Sequence, residues 1–338
     1  MRCFLSVLIF TGMALPAAAA TIDGSLDAEY GAALAVQAVQ TSFGDANPPG
    51  NLGGSELDAA YATVSGGRLN LLLTGNLEPN FNKLEVFIDS KPGGENTLSG
   101  TPQYDFFNGS IWISQNLQGL TFDNPFAADY HLFARWGGGP GPFEVDFIDR
   151  QGGGNASVPG SSEAGAATVG LISAGTIPAG DVGPNASGSA LSQPLHFAIN
   201  DNNAAGVTGG TGAANAVAAL AVSTGMEFSI DLADLGNPGI GDVILIAAMV
   251  NNGDHNYLSN QLLGSLVPDP LEDPPLTQEN LGGNGEGGFI GNLSGVDLND
   301  FAGLQFFSVT VIPEPSTLGL TALAGLGLLG AIVRRSRR

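Results

Sequence analysis

Glycine interrupts this chain so often, 51 times in 338 residues, that few stretches between Thr21 and Ile312 can form a helix of several turns. The 20 prolines cut it further, yet 43% of the residues stay hydrophobic, which sets the chain apart from a disordered low-complexity polymer. Ordinary apolar content with frequent turns predicts many short strands. Glu56 to Val64 and Arg68 to Leu73 flank Ser65-Gly66-Gly67 and read as a hairpin. Lys83 to Asp89 alternates, with Leu84, Val86 and Ile88 on one face and Glu85, Phe87 and Asp89 on the other, the period of a half-buried strand. Further strands are expected at Tyr104 to Ile113, Asp129 to Trp136, Phe143 to Asp149, Leu195 to Asn200, Glu227 to Leu232, Val243 to Val250 and Leu304 to Val311. The expected fold is all-β, a jelly-roll-like β-sandwich. Helix is expected only in the alanine-rich Ala213 to Val222. Gly152 to Gly188 reads as a long mobile loop, and Val267 to Pro275, with four prolines, as an irregular connection.

The two ends are unlike this body. Met1 and Arg2 precede an apolar stretch from Phe4 to Leu15, and Ala17 to Ala20 supply small side chains, so residues 1–20 read as a signal peptide. Cleavage is expected after Ala20, with Ala18 and Ala20 as the recognised small residues. Cys3, the only cysteine, leaves with it, which excludes disulfides, cysteine nucleophiles and cysteine-bound metals from the mature chain. At the other end Ser316 to Val333 carries no charge. As a helix that run would span about 27 Å, close to the apolar thickness of a bilayer. Arg334, Arg335, Arg337 and Arg338 follow and would stay in the cytosol, leaving the body outside. Pro313 and Pro315 hold the residues around Glu314 extended, the form in which a protease takes its substrate.

Val311-Ile312-Pro313-Glu314-Pro315-Ser316-Thr317, an apolar segment at 316–333 and an Arg-rich end at 334–338 together resemble the PEP-CTERM sorting signal. The resemblance implies export, anchoring in the inner membrane, and processing by an exosortase-type enzyme that recognises Pro313, Glu314 and Pro315. The cell surface or the exopolysaccharide matrix would be the destination. A single-pass anchor that is never cut is the alternative.

The body, residues 21–312, is strongly acidic. All 32 acidic residues except Glu314 fall within it, against Arg68, Lys83, Lys91, Arg135 and Arg150, a net charge of about −26. Such a field repels phosphate backbones and anionic lipid, so nucleic acid is not an expected partner of the body. Ile22-Asp23-Gly24, Asp27 and Tyr30, with Gly225 to Gly236 later, are similar to the opening and closing strands of family 9 carbohydrate-binding modules and their DOMON-like relatives. Tyr30 stands where those have Trp, and Asp231 where they have Pro. That resemblance implies a β-sandwich.

No catalytic constellation stands out. His131, His196 and His255 are isolated in sequence, outside any H-E-x-x-H spacing, and read as ordinary surface or strand histidines. There is no G-x-S-x-G elbow, and carboxylates are too abundant to single out a glycosidase pair. The expectation is a non-enzyme. Candidate sugar-stacking rings are Trp136 and Tyr130 on one strand and Tyr257 in the polar loop at 251–257, with core packing as the competing reading for Trp112 and Trp136. Structural calcium at Asp297-Leu298-Asn299-Asp300 or at Asn251 to Asn256 competes with plain turn formation; no other metal or cofactor is expected. Two readings stay open, a binder of extracellular polysaccharide and a coat protein without a specific ligand, with a secreted hydrolase third.

Overall fold

The structure is a computed structural model that describes residues 20–45, 54–101, 113–136, 143–152, 155–157, 172–180, 190–203, 205–264, 266 and 278–313. Thirteen strands are seen among them: β1 (Ala35–Val36), β2 (Glu56–Ser65), β3 (Arg68–Asn76), β4 (Lys83–Asp89), β5 (Tyr130–Trp136), β6 (Phe143–Asp149), β7 (Asn155–Ser157), β8 (Ile172–Ile177), β9 (Leu195–Asn200), β10 (Gly225–Asp231), β11 (Val243–Asn251), β12 (Leu258–Leu263) and β13 (Phe307–Thr310). Two helices of five residues join them, α1 (Ile113–Leu117) and α2 (Ala216–Leu220).

The strands form two antiparallel sheets. One runs β1-β2-β3-β10-β9-β8; the other runs β12-β11-β4-β5-β6-β7, with β13 also on β11. β11 is longer than its neighbours on that side, so β13 pairs with Val243 to Ile246 and β12 with the residues from Ala248 on. The facing surfaces bury Leu69, Leu71, Leu73, Phe197, Phe228 and Ile230 from one sheet against Leu84, Val86, Leu132, Val145, Phe147 and Ile246 from the other. This is the expected all-β sandwich.

The alternation of β4 is correct, but its half-buried character is not. Glu85 and Phe87 are as fully buried as Leu84 and Val86. A second apolar layer covers that outer face, in which Leu98, Leu117, Phe122 and Phe126 and then Leu281, Leu293, Val296 and Leu298 pack on Phe87, Phe133 and Met249. Long loops therefore act as a third layer, a role that leaves no period in sequence.

The hairpin, β6 and β9 occur where expected, and the last strand is shorter, beginning at Phe307. Gly75, at φ +139° opposite a bulge in β2, approaches Glu56 so closely that a Cβ would lie 2.1 Å from its carbonyl oxygen. Ile113 opens a helix rather than closing a strand; residues 102–112 of that expected strand lie outside the described residues. The stretch 152–188 is not loop throughout, since it holds β7 and β8. The expected helix is a single turn whose Asn215 side chain accepts the N–H groups of Val217 and Ala218. β12 carries no strand signature in sequence because Ser259, Asn260 and Gln261 break its apolar pattern, and all three are buried by partners elsewhere in the chain. Asn260 accepts from Ser42 and donates to the carbonyls of Gln40 and Gln278.

Candidate functional site

The sorting segment leaves the body directly from the core. Phe307, Val309 and Val311 pack inward, and the ladder with β11 runs one residue past β13: Gly241 donates to the Val311 carbonyl at 2.8 Å, and Val311 donates to the Asp242 carbonyl at 2.9 Å. Only Ile312 and Pro313 separate this last pair from Glu314. Ile312 is 61% exposed. Proline at 313 donates no hydrogen bond and disfavours helix at Ile312, so the ladder stops there. Glu314, Pro315 and the apolar and Arg-rich segments lie outside the described residues, as does Ala18. At the other end Ala20 packs near Tyr30. No helix among the described residues is long and apolar enough to cross a membrane.

The two stretches that carry the second resemblance meet in space. Glu227 of β10 accepts the backbone N–H groups of Asp23 and Gly24, each at 2.8 Å, and the Tyr30 hydroxyl at 2.6 Å. Gly24, at φ +78°, sits so close to β9 that a Cβ would lie 2.5 Å from the Asn200 nitrogen. Burial raises the Glu227 pKa against these three donors, and burial with Glu227 alongside raises that of Tyr30. This arrangement fastens the opening segment to the sheet; it leaves no oxygen free for chemistry.

A second buried carboxylate gathers two of the histidines. Glu85 on β4 lies 2.7 Å from Nε2 of His131 on β5 and 2.6 Å from Nδ1 of His255, and it accepts from the Asn251 amide at 3.1 Å. None of these side chains reaches solvent: His131 is a strand histidine, as one of the two readings had it, but a buried one, and His255, in the loop after β11, is not at the surface. Burial holds His255 down to about 4 and His131 below its ordinary value. Burial pushes the Glu85 carboxyl up, but the two imidazoles outweigh it, and the group stays ionised. Phe87 stacks on His131 at 4.3 Å, sealing the cluster. Beside it Lys83 donates to the Gly253 carbonyl at 2.7 Å, its pKa drawn down to about 7 by burial, and Asp146, pushed up to about 6 by burial, pairs with Arg135 at 2.9 Å. A carboxylate clamped by three N–H donors and shut from water positions strands and has no route to a substrate.

Two of the ring candidates, Trp136 and Tyr130, present no face to solvent. Trp136 is 1% exposed and packs on Phe143; Tyr130 is buried against Phe147. Tyr257 is half-buried with its hydroxyl on the Gly287 carbonyl. Trp112 lies outside the described residues. His196, the remaining histidine, borders an open groove of about 500 Å³ with Ile22, Ala174 and Thr176, and its Nδ1 lies 3.0 Å from the Thr176 hydroxyl. In the polar loops Asp297 accepts the backbone N–H of Asn299, and Asn252 accepts those of Asp254 and Asn256. Among the described residues no group of three His, Cys, Asp or Glu could hold a metal.

Every cation of the body is used internally. Arg68 pairs with Asp231, Lys91 with Asp149, Arg135 with Glu144 and Asp146, Arg150 with Glu95, and Lys83 with carbonyls. The outer surface is left with uncompensated acids.

Residues 311–338 match the family described as the PEP-CTERM protein-sorting motif. No curated protein and no solved structure matches the chain.

Proposed function

We propose that this chain, which ends in a PEP-CTERM protein-sorting motif, is an exported and non-catalytic component of the cell surface or extracellular matrix. The motif marks it for an exosortase-type processing enzyme. In this reading the signal peptide is removed after Ala20, the segment at 316–333 anchors the chain until the cut, and the sandwich is what the matrix receives. The observation that carries it is the junction: the motif begins two residues beyond the last backbone pair of the core, so a cut there sheds the tail and leaves every core strand in place. A chain with Glu314→Ala should stay in the membrane fraction with Arg338 intact. Release of that variant with the same C-terminus as the parent would defeat the reading.

Two roles for the sandwich remain. The coat without a specific ligand is favoured by the burial of Trp136 and Tyr130 and by the sealing of both carboxylate clusters. Polysaccharide binding is supported, among the described residues, by the open groove at Thr176 and His196. A glycan array on the full chain separates them, with Thr176→Lys as the control: binding that survives this variant argues against the groove, and silence across acidic and neutral glycans leaves the coat.

A further inference from the structure

Three apolar side chains stand unpacked where the chain leaves the body. Ile240 is 67% exposed, Val243 49% and Ile312 61%. The ladder places them together. Val243 pairs with Thr310, and the bonds of Val311 set both Gly241 and Asp242 opposite it, so the ladder ends in a bulge; along the last strand Val311 turns inward and Ile312 outward, to the face that Thr310 shares with Val243. Ile240 tops the turn that leads into β11. That turn is closed on itself: Gly239 donates to the Asp242 carboxylate at 2.7 Å, and Asp242 donates to the Gly239 carbonyl at 3.0 Å. The tip is therefore a built presentation of isoleucine and valine rather than a frayed end.

We propose that this tip is the membrane-facing end of the body, resting on the outer surface of the bilayer that holds the chain's own apolar segment. The inference rests on the anchoring step proposed above. Four residues, 312–315, lie between Val311 and the start of that segment at Ser316. Fully extended, the five steps from Val311 to Ser316 cover roughly 17 Å, so the tip cannot be held far from the headgroups. Charge selects the mode of contact. No lysine or arginine occurs between Gln151 and Val333, and Asp242 stands in the turn itself, so attraction to anionic headgroups cannot hold the tip down. Apolar contact with the interface can, and it orients the sandwich with the β10–β11 turn toward the membrane and the opening of β10 away from it.

The test uses the full chain with Cys3→Ser and one added cysteine, at Ile240→Cys, Val243→Cys or Val217→Cys, each carrying an environment-sensitive fluorophore. Val217, 78% exposed on α2, precedes β10, whereas Ile240 follows its end, so the control lies at the opposite end of that strand. The proteins are reconstituted in phosphatidylcholine vesicles with or without brominated acyl chains and checked for an unchanged melting temperature. Flotation with the vesicles, loss of emission at 240 and 243, and none at 217 are expected, unaltered by salt. Flotation without loss at 240 and 243, as when the tip serves a protein partner instead, overturns the docking alone. Failure to float overturns the anchoring reading and the docking with it.

Discussion

The Tyr30 hydroxyl donates a 2.6 Å hydrogen bond to Oε1 of Glu227, joining residues 197 positions apart. The same carboxylate takes the N–H groups of Asp23 and Gly24 on its other oxygen, so a single side chain of β10 gathers Asp23, Gly24 and Tyr30. Tyr30→Phe removes one bond to a buried charged acceptor and is expected to cost about 1.5 to 3 kcal/mol in urea unfolding. Glu227→Ala strands three donors and should cost more, with limited proteolysis now cutting before Ala35. An opening segment as resistant as in the parent would contradict this account.

The Glu85 cluster sets the acid side of the stability curve. Breaking a buried charge cluster from one side costs about 3 to 5 kcal/mol, so Glu85→Ala, which leaves His131, His255 and Asn251 facing a hole, is expected to fall in that range. The pH dependence has a definite sign. His255 is held down to about 4 and His131 is also lowered, so the unfolded chain binds protons near pH 6.5 that the folded one refuses. Their contribution is complete above that value and is lost as pH falls toward 4. Melting temperatures measured from pH 7.5 to 4 should drop more steeply for the parent than for a His131→Phe, His255→Phe double variant, when both are referred to their values at pH 7.5.

Asp201 works in the opposite direction. Burial lifts its pKa to about 7, against the Leu77 N–H that its Oδ1 accepts at 2.9 Å. A raised carboxyl favours folding below its unfolded value near 4, and that contribution is lost as pH rises through about 7. Asp201→Asn keeps the acceptor for Leu77 and removes the ionisation. The variant should match the parent near pH 4 and melt higher at pH 8.5, by up to roughly 1.4 kcal/mol for each unit of the shift. Equal melting temperatures at pH 8.5 would place Asp201 in contact with water.

What could be read in the sequence follows from which interactions leave a local trace. The hairpin at Gly66 and Gly67, and the strands of residues 143–149 and 195–200, are set by turn chemistry and by apolar runs, both visible within ten residues. β12 and the loop layer over β4 are set by partners far along the chain. Ser259, Asn260 and Gln261 look like loop residues until Gln40, Ser42 and Gln278 are brought beside them. His131 and His255 gave no spacing because their common partner is a third residue, Glu85, on another strand. Its only signal was a glutamate between Leu84 and Val86, which period-two alternation places on the solvent side. For Trp136, sugar stacking and core packing stay equally open in sequence for a related reason. Strand alternation places rings on a face, and only the packing of the opposite sheet decides whether that face is covered.

The flush junction at Val311 makes a kinetic prediction for processing. A protease that takes an extended substrate needs several residues clear of other pairing, and here the ladder to Gly241 and Asp242 holds Val311 just ahead of the motif. Inserting six residues of Gly and Ser between Ile312 and Pro313 leaves β13 and the motif intact and moves the motif away from the sheet edge. Processing, followed as loss of the Arg338-containing C-terminal peptide by mass spectrometry, should become faster. Deleting Ile312 should slow it, because Pro313 would then abut the Val311 pair. Equal rates in all three chains would mean that the enzyme works against the folded edge, and that the junction does not limit the cut.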